Sequence, residues 1–353
     1  MIASQKGLLA SVGNWEEPKA FAAWSNDEDV RLSSSSGGLF TELARSVIDN
    51  GGAVAGCVWG EHLTPEHLLA HSLADVEKMR GSKYVPSRVG NIYQEGIALL
   101  NDSEKTLLFS GTPCQVAAMD AALRPEQRTR VLLVECICHG VPSLHVFHRY
   151  IDELFGGEKV ASYTFRDKSF GWQSVLAVSA HGKRHHVTAP KDAFFKGFAI
   201  HHLYLMELCY QCPFARLPRV ADISMGDFWG CPEQLHDKRG VSVVLVNTEK
   251  GMRAVGAAEN MGSLAVEAVS LAEAVAKNQR AIKGEHSVPQ KRRAFLNGMI
   301  GGRSFAALQA AFFPSRSELL WYSFLNEDHK ILFLRNIFLA VLRKFRCLFF
   351  PVQ

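Results

Sequence analysis

Apolar and polar positions alternate along the chain in two kinds of block. Residues 39–48 carry apolar side chains at helical spacing, and Ser33 to Ser36 with Gly37-Gly38 stand before them. Serine ahead of a periodic run reads as an N-terminal cap. Residues 53–59 form a short apolar run after Gly51-Gly52 and read as a buried strand. The succession then recurs: helix over 93–100, strand over 106–109, helix over 115–123, strand over 131–137, helix over 145–154. Such alternation predicts a largely parallel sheet with helices on its faces. Ligands of such sheets sit at the carboxyl ends of strands. The turns after Phe109 and Ile137 are therefore expected on the functional edge.

Beyond residue 160 the texture changes. Residues 163–165, 174–179 and 185–188 alternate as antiparallel strands, with His181-Gly182 at a turn. A helix is expected over 192–199, a buried β-branched strand over 241–246, and helices over 250–259 and 271–279. The fold class expected is α/β: a mixed, largely parallel sheet with flanking helices, an antiparallel β portion and a C-terminal helical extension. The divisions expected are a weakly structured leader over 1–30, a main domain over 31–287 and a basic, aromatic extension over 288–353.

At 353 residues and 47% hydrophobic content the chain can bury a substantial core. A net charge of +4 gives no case for a nucleic-acid partner. Eight cysteines in a chain this long do not suggest a disulfide scaffold. The first seven residues show no secretory pattern, so a cytoplasmic, reducing compartment is expected, where thiols stay free for metal. Residues 330–350 are apolar but broken by Arg335, Arg343, Lys344 and Arg346, which argues against a spanning helix. Phe and Leu interleaved with bases there suit a peripheral membrane contact on the cytoplasmic face, a docked partner or packing on the core.

The cysteines carry the chemistry. Cys209 and Cys212 form a CxxC followed by Pro213, a spacing that lets both sulfurs reach one metal or one cluster edge. Cys114, in Gly111-Thr112-Pro113-Cys114-Gln115, stands at a helix start, where the dipole favours a thiolate. Cys136 and Cys138 alternate at a strand end and face one way, so either suits ligation. Zinc on four cysteines, or on three with His139, is the rival reading. Ligands scattered through a large domain fit an iron–sulfur cluster better. Cys57, Cys231 and Cys347 read as packed thiols.

Other motifs are weaker alone. The serine–glycine run, Ser34, Ser35, Ser36, Gly37 and Gly38, suits a phosphate cradle but lacks the Walker lysine and the GxGxxG pattern. Arg80-Gly81-Ser82-Lys83-Tyr84 offers cations, a hydroxyl and a ring to a flat anionic ligand. Phe165-Arg166-Asp167-Lys168 with Gly171-Trp172 has a surface salt-bridge turn as its plain reading. His185-His186 has no matching ligand set and reads as exposed.

Together and in this order these motifs, with Cys138-His-Gly-Val-Pro142 and Asp222-Ile-Ser-Met-Gly-Asp-Phe-Trp-Gly230, resemble the beta subunit of coenzyme F-420 hydrogenase/dehydrogenase from about residue 20 to 290. The resemblance implies FAD bound in an α/β domain beside a 4Fe–4S cluster. Electrons would pass between cluster and flavin, and on to a two-electron small-molecule acceptor. Carried over, Cys114, Cys138, Cys209 and Cys212 are the cluster ligands, with Cys136 in reserve. The serine–glycine run, Gly81, Ser82, Lys83 and Tyr84 become FAD contacts, with Thr112 and Pro113 near the flavin. Lys83, as a cation for a reduced ring, and His139 are the candidate catalytic residues. Many bacterial relatives carry a ferredoxin-like CxxCxxC segment before the serine run, whereas here no cysteine precedes Cys57. A ferredoxin-like or other redox partner is therefore expected. Two readings from other classes stand beside this one: a cofactor-poor accessory protein of a polysaccharide-synthesis complex, and a zinc-stabilised binding module.

Overall fold

A computed structural model describes residues 15–169 and 174–313. Eleven strands follow in chain order. They are β1 (Lys19–Ser25), β2 (Ala53–Trp59), β3 (Pro65–Ala70), β4 (Leu107–Gly111), β5 (Val131–Cys136), β6 (Val160–Asp167), β7 (Ser174–Ser179), β8 (Arg184–Thr188), β9 (Ile223–Asp227), β10 (Ser242–Val246) and β11 (Leu264–Val269). Eight of them form one sheet in the order β11-β1-β10-β9-β5-β4-β2-β3, and β6-β7-β8 form a separate antiparallel sheet.

The centre of the large sheet is parallel, with β2 beside β4, β4 beside β5 and β5 beside β9. Its inner strands are apolar on both faces (Leu107, Leu108, Phe109 and Val131 to Val134 are all buried), as a sheet covered by helices on both sides requires. Antiparallel strands close both flanks: β3 on β2, and β10, β1 and β11 beyond β9. The parallel pairing puts the carboxyl ends of β4, β5 and β9 on one edge. Two antiparallel steps bring the end of β1 to that same edge.

The leader is more ordered than expected from residue 19 onward: β1 is a central partner of β10 and β11, and a helix over Glu28–Ser33 follows, capped by Asp27. The extension likewise begins inside the fold. Helices Arg292–Ile300 and Phe305–Phe312 place Phe295, Met299, Phe305 and Leu308 in a buried aromatic cluster with Phe147, Tyr163, Phe165 and Phe194. That cluster joins the small sheet to helix Leu144–Phe155. The segment over 192–199 is a short helical turn, Ala193–Phe195, continued by a π-turn at Lys196–Ile200. Among the described residues no helix is long and apolar enough to cross a membrane. Residues 330–350 and Cys347 lie outside the described residues, as do Gly171 and Trp172.

Candidate functional site

Four cysteines from three distant segments meet at the carboxyl edge of the large sheet. β4 ends at Gly111, and Thr112 caps the helix Pro113–Ala122 that carries Cys114 in its first turn. The Gln115 side chain accepts from the Thr112 N–H at 2.9 Å and donates to Ser87 at 2.9 Å, which fixes that turn. The Thr112 hydroxyl lies 3.1 Å from the Cys114 sulfur, and Cys114 is exposed.

β5 ends at Cys136, and Cys138 follows it into the loop. Gly140 stands at φ +110°, and a Cβ there would lie 3.1 Å from Cys209 Cβ. Its left-handed backbone lets the Cys138 loop close on the CxxC segment. The Met206 N–H donates to the Val141 carbonyl at 2.8 Å, and the Cys212 N–H to the Gly284 carbonyl at 2.7 Å. The CxxC is thus held between the 138–142 loop and the 280–286 segment.

The thiols feel one another. Desolvation first, then Cys138, Cys212 and Cys114, push the Cys209 thiol up to about 11. Cys114 is raised by desolvation and by Cys138 and Cys212. Cys138 is raised chiefly by a hydrogen bond with Cys136, so the reserve thiol touches the set. Arg280 faces this group: its charge is coupled to Cys212, Cys138 and Cys209, and its Nη2 donates to the Cys209 carbonyl at 3.2 Å. Its buried Nε makes no hydrogen bond among the described residues. Soft thiolates beside a buried cation suit an anionic metal–sulfur group. Among the described residues no three of these sulfurs lie within 4.8 Å of one another, whereas zinc held by thiolates needs about 3.8 Å between sulfurs. Arg280 carries no motif in the sequence and was invisible there.

A second group of loops lies on the same edge. The serine run does not cap the following helix: Gly38, at φ +93°, is the N-cap of helix Leu39–Asp49 and offers it no side-chain bond. Its serines tie loops together instead. Ser34 is buried. The Ser35 hydroxyl accepts from the Ser82 N–H at 2.6 Å, and Ser36 donates to the Val241 carbonyl at 2.8 Å. Gly37 is threaded between β1 and β10, where a Cβ would meet the Ala23 carbonyl oxygen at 2.3 Å. Arg80 donates to the Ser33 and Thr41 hydroxyls. Gly81, at φ +85°, has open space on its Cβ side.

Lys83 points back into its own loop, donating to the carbonyls of Met79, Arg80 and Gly81 at 3.0–3.2 Å. Desolvation holds its ammonium down to about 8. Tyr84 packs against Phe165, Phe195 and Phe198, and its hydroxyl accepts from Arg166 Nε at 2.9 Å.

The Phe165–Lys168 segment is not a surface turn. Arg166 is buried and bonds Asp227, and its guanidinium lies 5.3 Å from the Trp229 ring centre. Lys168 donates to the carbonyls of Ser36, Arg239 and Arg31 and so clamps the serine loop. Of the two aspartates in Asp222–Gly230, Asp227 belongs to this network. Asp222 is structural, bonded to Arg128, Thr248 and the Leu133 N–H. His185 and His186 are half-buried rather than exposed, and they face Asp192 and Asp167. His139 meets His202 and His286, two residues that sequence spacing did not connect with it.

The fold and these motifs agree with known families. Residues 20–93 match the family model for the N-terminal part of the coenzyme F420 hydrogenase/dehydrogenase beta subunit, and residues 104–271 match the model for its C-terminal part. No curated protein matches the chain. Among solved structures, a chain of the F420-reducing [NiFe] hydrogenase complex from Methanosarcina barkeri is similar in fold. Its TM-score is 0.55 at 16% identity, covering 83% of this chain and 98% of that one. Two consecutive family models spanning most of residues 20–271, on a sheet of matching fold, place the chain in the coenzyme F420 hydrogenase/dehydrogenase beta-subunit family of oxidoreductases.

Proposed function

We propose that the chain holds a 4Fe–4S cluster on Cys114, Cys138, Cys209 and Cys212 and FAD on the adjoining loops, and relays electrons between them to a two-electron small-molecule acceptor. The convergence of those four thiols, three of them facing Arg280, is the observation that carries this reading. When bound, the cluster would supply single electrons and the flavin would join them into pairs.

The chain's own residues divide the remaining work. Arg280 offsets negative charge at the sulfurs. The Ser34–Gly38 run and Gly81-Ser82, joined by the Ser82 N–H to Ser35 bond, would offer backbone and hydroxyls to a phosphate-bearing ligand, and Thr112 and Pro113 at the start of the Cys114 helix would face the flavin. Lys83, its ammonium pinned by three carbonyls, acts as a fixed cation toward a reduced ring. Met206 and Leu208 stand exposed beside Cys209, an apolar surface that suits a ferredoxin-like or other redox partner. The working compartment in this reading is a reducing cytoplasm.

The test is anaerobic purification followed by metal, sulfide and flavin analysis. About four iron atoms per chain, stoichiometric FAD and a broad visible absorbance are expected. A colourless protein with zinc on these cysteines would sink the proposal and favour a binding module.

A further inference from the structure

We propose that His139, His202 and His286 form a binding site for a first-row divalent cation of the zinc(II) class, with an open coordination position, on the rim of the thiol group. One ring nitrogen from each lies within 4.8 Å of the others, and all three residues are half-buried. They come from three separate segments, so their meeting is a product of the fold and not of one loop. His139 Nε2 and His202 Nε2 are 2.9 Å apart. Zinc–nitrogen bonds of about 2.0–2.1 Å at tetrahedral angles separate ligand nitrogens by roughly 3.3 Å, so only a small ring adjustment is needed.

The orientation of His286 is also that of a ligand. Its Nε2 bonds the His139 carbonyl at 2.9 Å. That bond places the proton on Nε2 and leaves the lone pair on Nδ1, as metal-bound histidines are commonly set by a carbonyl behind them. His202 adopts φ +51°, a left-handed backbone that a bulky side chain seldom takes. The Tyr210 hydroxyl holds its carbonyl in place. Strain of that kind persists where the surroundings enforce it, and it clusters at functional positions.

Arg280 and Lys283 are the cations that act on His286, and Arg280 also faces Cys212, Cys138 and Cys209. Three imidazoles with a free position match zinc, and also cobalt(II) as its spectroscopic stand-in.

The experiment titrates the full-length, cofactor-loaded protein with Co2+ under anaerobic conditions, then adds Zn2+. Expected is one Co2+ with tetrahedral d–d absorption, no thiolate charge-transfer band, and displacement by Zn2+. His286→Gln and His202→Asn, the latter chosen because asparagine tolerates a left-handed backbone, should each weaken binding at least tenfold. Cys209→Ser should leave the d–d signal in place, which separates this site from the cluster reading. No Co2+ uptake, an unchanged affinity in both histidine variants, or a thiolate charge-transfer band as the only signal would overturn the proposal. Because the wild-type titration stands alone, a variant that fails to fold does not shelter it.

Discussion

Arg166 on β6 reaches Asp227 at the end of β9, with Nη2 2.5 Å from Oδ2. This contact joins the small antiparallel sheet to the carboxyl edge of the large one, and both partners are almost wholly out of solvent. Burial pushes the Asp227 carboxyl up against the pull of Arg166 and Lys168. Removing one member of such a pair leaves an uncompensated buried charge and costs roughly 3–5 kcal/mol. Arg166→Met and Asp227→Asn should each lower the urea midpoint accordingly. A double Arg166→Met/Asp227→Leu chain should recover a large part of the loss. Single variants as stable as wild type would remove the pair from the account of the fold.

The cysteines separate in their expected effects. Cys114→Ser, Cys138→Ser, Cys209→Ser and Cys212→Ser should each abolish or strongly reduce bound iron and visible absorbance. Cys57→Ser and Cys231→Ser should leave both unchanged. Cys136→Ser is the informative case: its thiol bonds Cys138 without being assigned as a ligand, so iron should stay bound while the cluster potential shifts. Iron analysis and a redox titration decide the matter. Loss of iron in Cys136→Ser would exchange the roles of the two thiols.

Gly37→Ala tests the serine–glycine loop. The added methyl would lie 2.3 Å from the Ala23 carbonyl, and backbone cannot yield as a flexible side chain does. Overpacking of this kind costs typically 1–3 kcal/mol. The displaced loop should bind FAD at least tenfold more weakly, measured by flavin fluorescence quenching. Gly256→Ala is the control for a glycine outside that loop, since a Cβ there meets nothing within 4 Å and its backbone is helical. Equal FAD binding by both variants would detach the loop from the cofactor.

Lys83→Ala should lower the flavin midpoint potential, because a fixed cation stabilises the reduced, more negative ring. Lys83→Arg should retain the charge. Both are read by spectroelectrochemistry on FAD-loaded protein. Unchanged potential and unchanged FAD affinity in Lys83→Ala would confine this lysine to capping its own loop through the carbonyls of Met79, Arg80 and Gly81.

Lys168 gives stability a pH dependence of definite sign. Desolvation holds its ammonium at about 8, against 10.5 for the free side chain. Between those values the unfolded chain binds more protons than the folded one, so this residue's contribution to stability grows as pH rises through that window. Urea midpoints of wild type and Lys168→Met should therefore diverge in favour of wild type from about pH 8 upward. A constant gap would show that the clamp on Ser36, Arg239 and Arg31 carries no proton linkage.

The parallel centre of the sheet was legible because its strands are dense apolar runs: the reading over 53–59 coincides with β2, and that over 131–137 overruns β5 by one residue. Strands with weaker signals were missed. β3 opens on Pro65, β9 contains Gly226, and β1 lies in a mixed polar stretch and becomes a strand because β10 and β11 pair with it on both sides. The serine cap failed for a local reason: the chain turns left-handed at Gly38, which separates the hydroxyls from the helix end. The four assigned thiols were legible through their local motifs. Arg280, His202 and His286 carry no motif, and only tertiary folding brings them to the thiols.

The segment that closes around Cys212 runs from Arg280 to His286, almost a whole domain downstream of Cys114. During synthesis, the first two thiol-bearing turns leave the ribosome long before the CxxC and its supporting segment exist. The thiol group is complete only once the chain through His286 has emerged and settled. Under the proposed cluster, loading of metal would follow translation of the main domain, since a nascent chain truncated before that point lacks the segment that closes around Cys212.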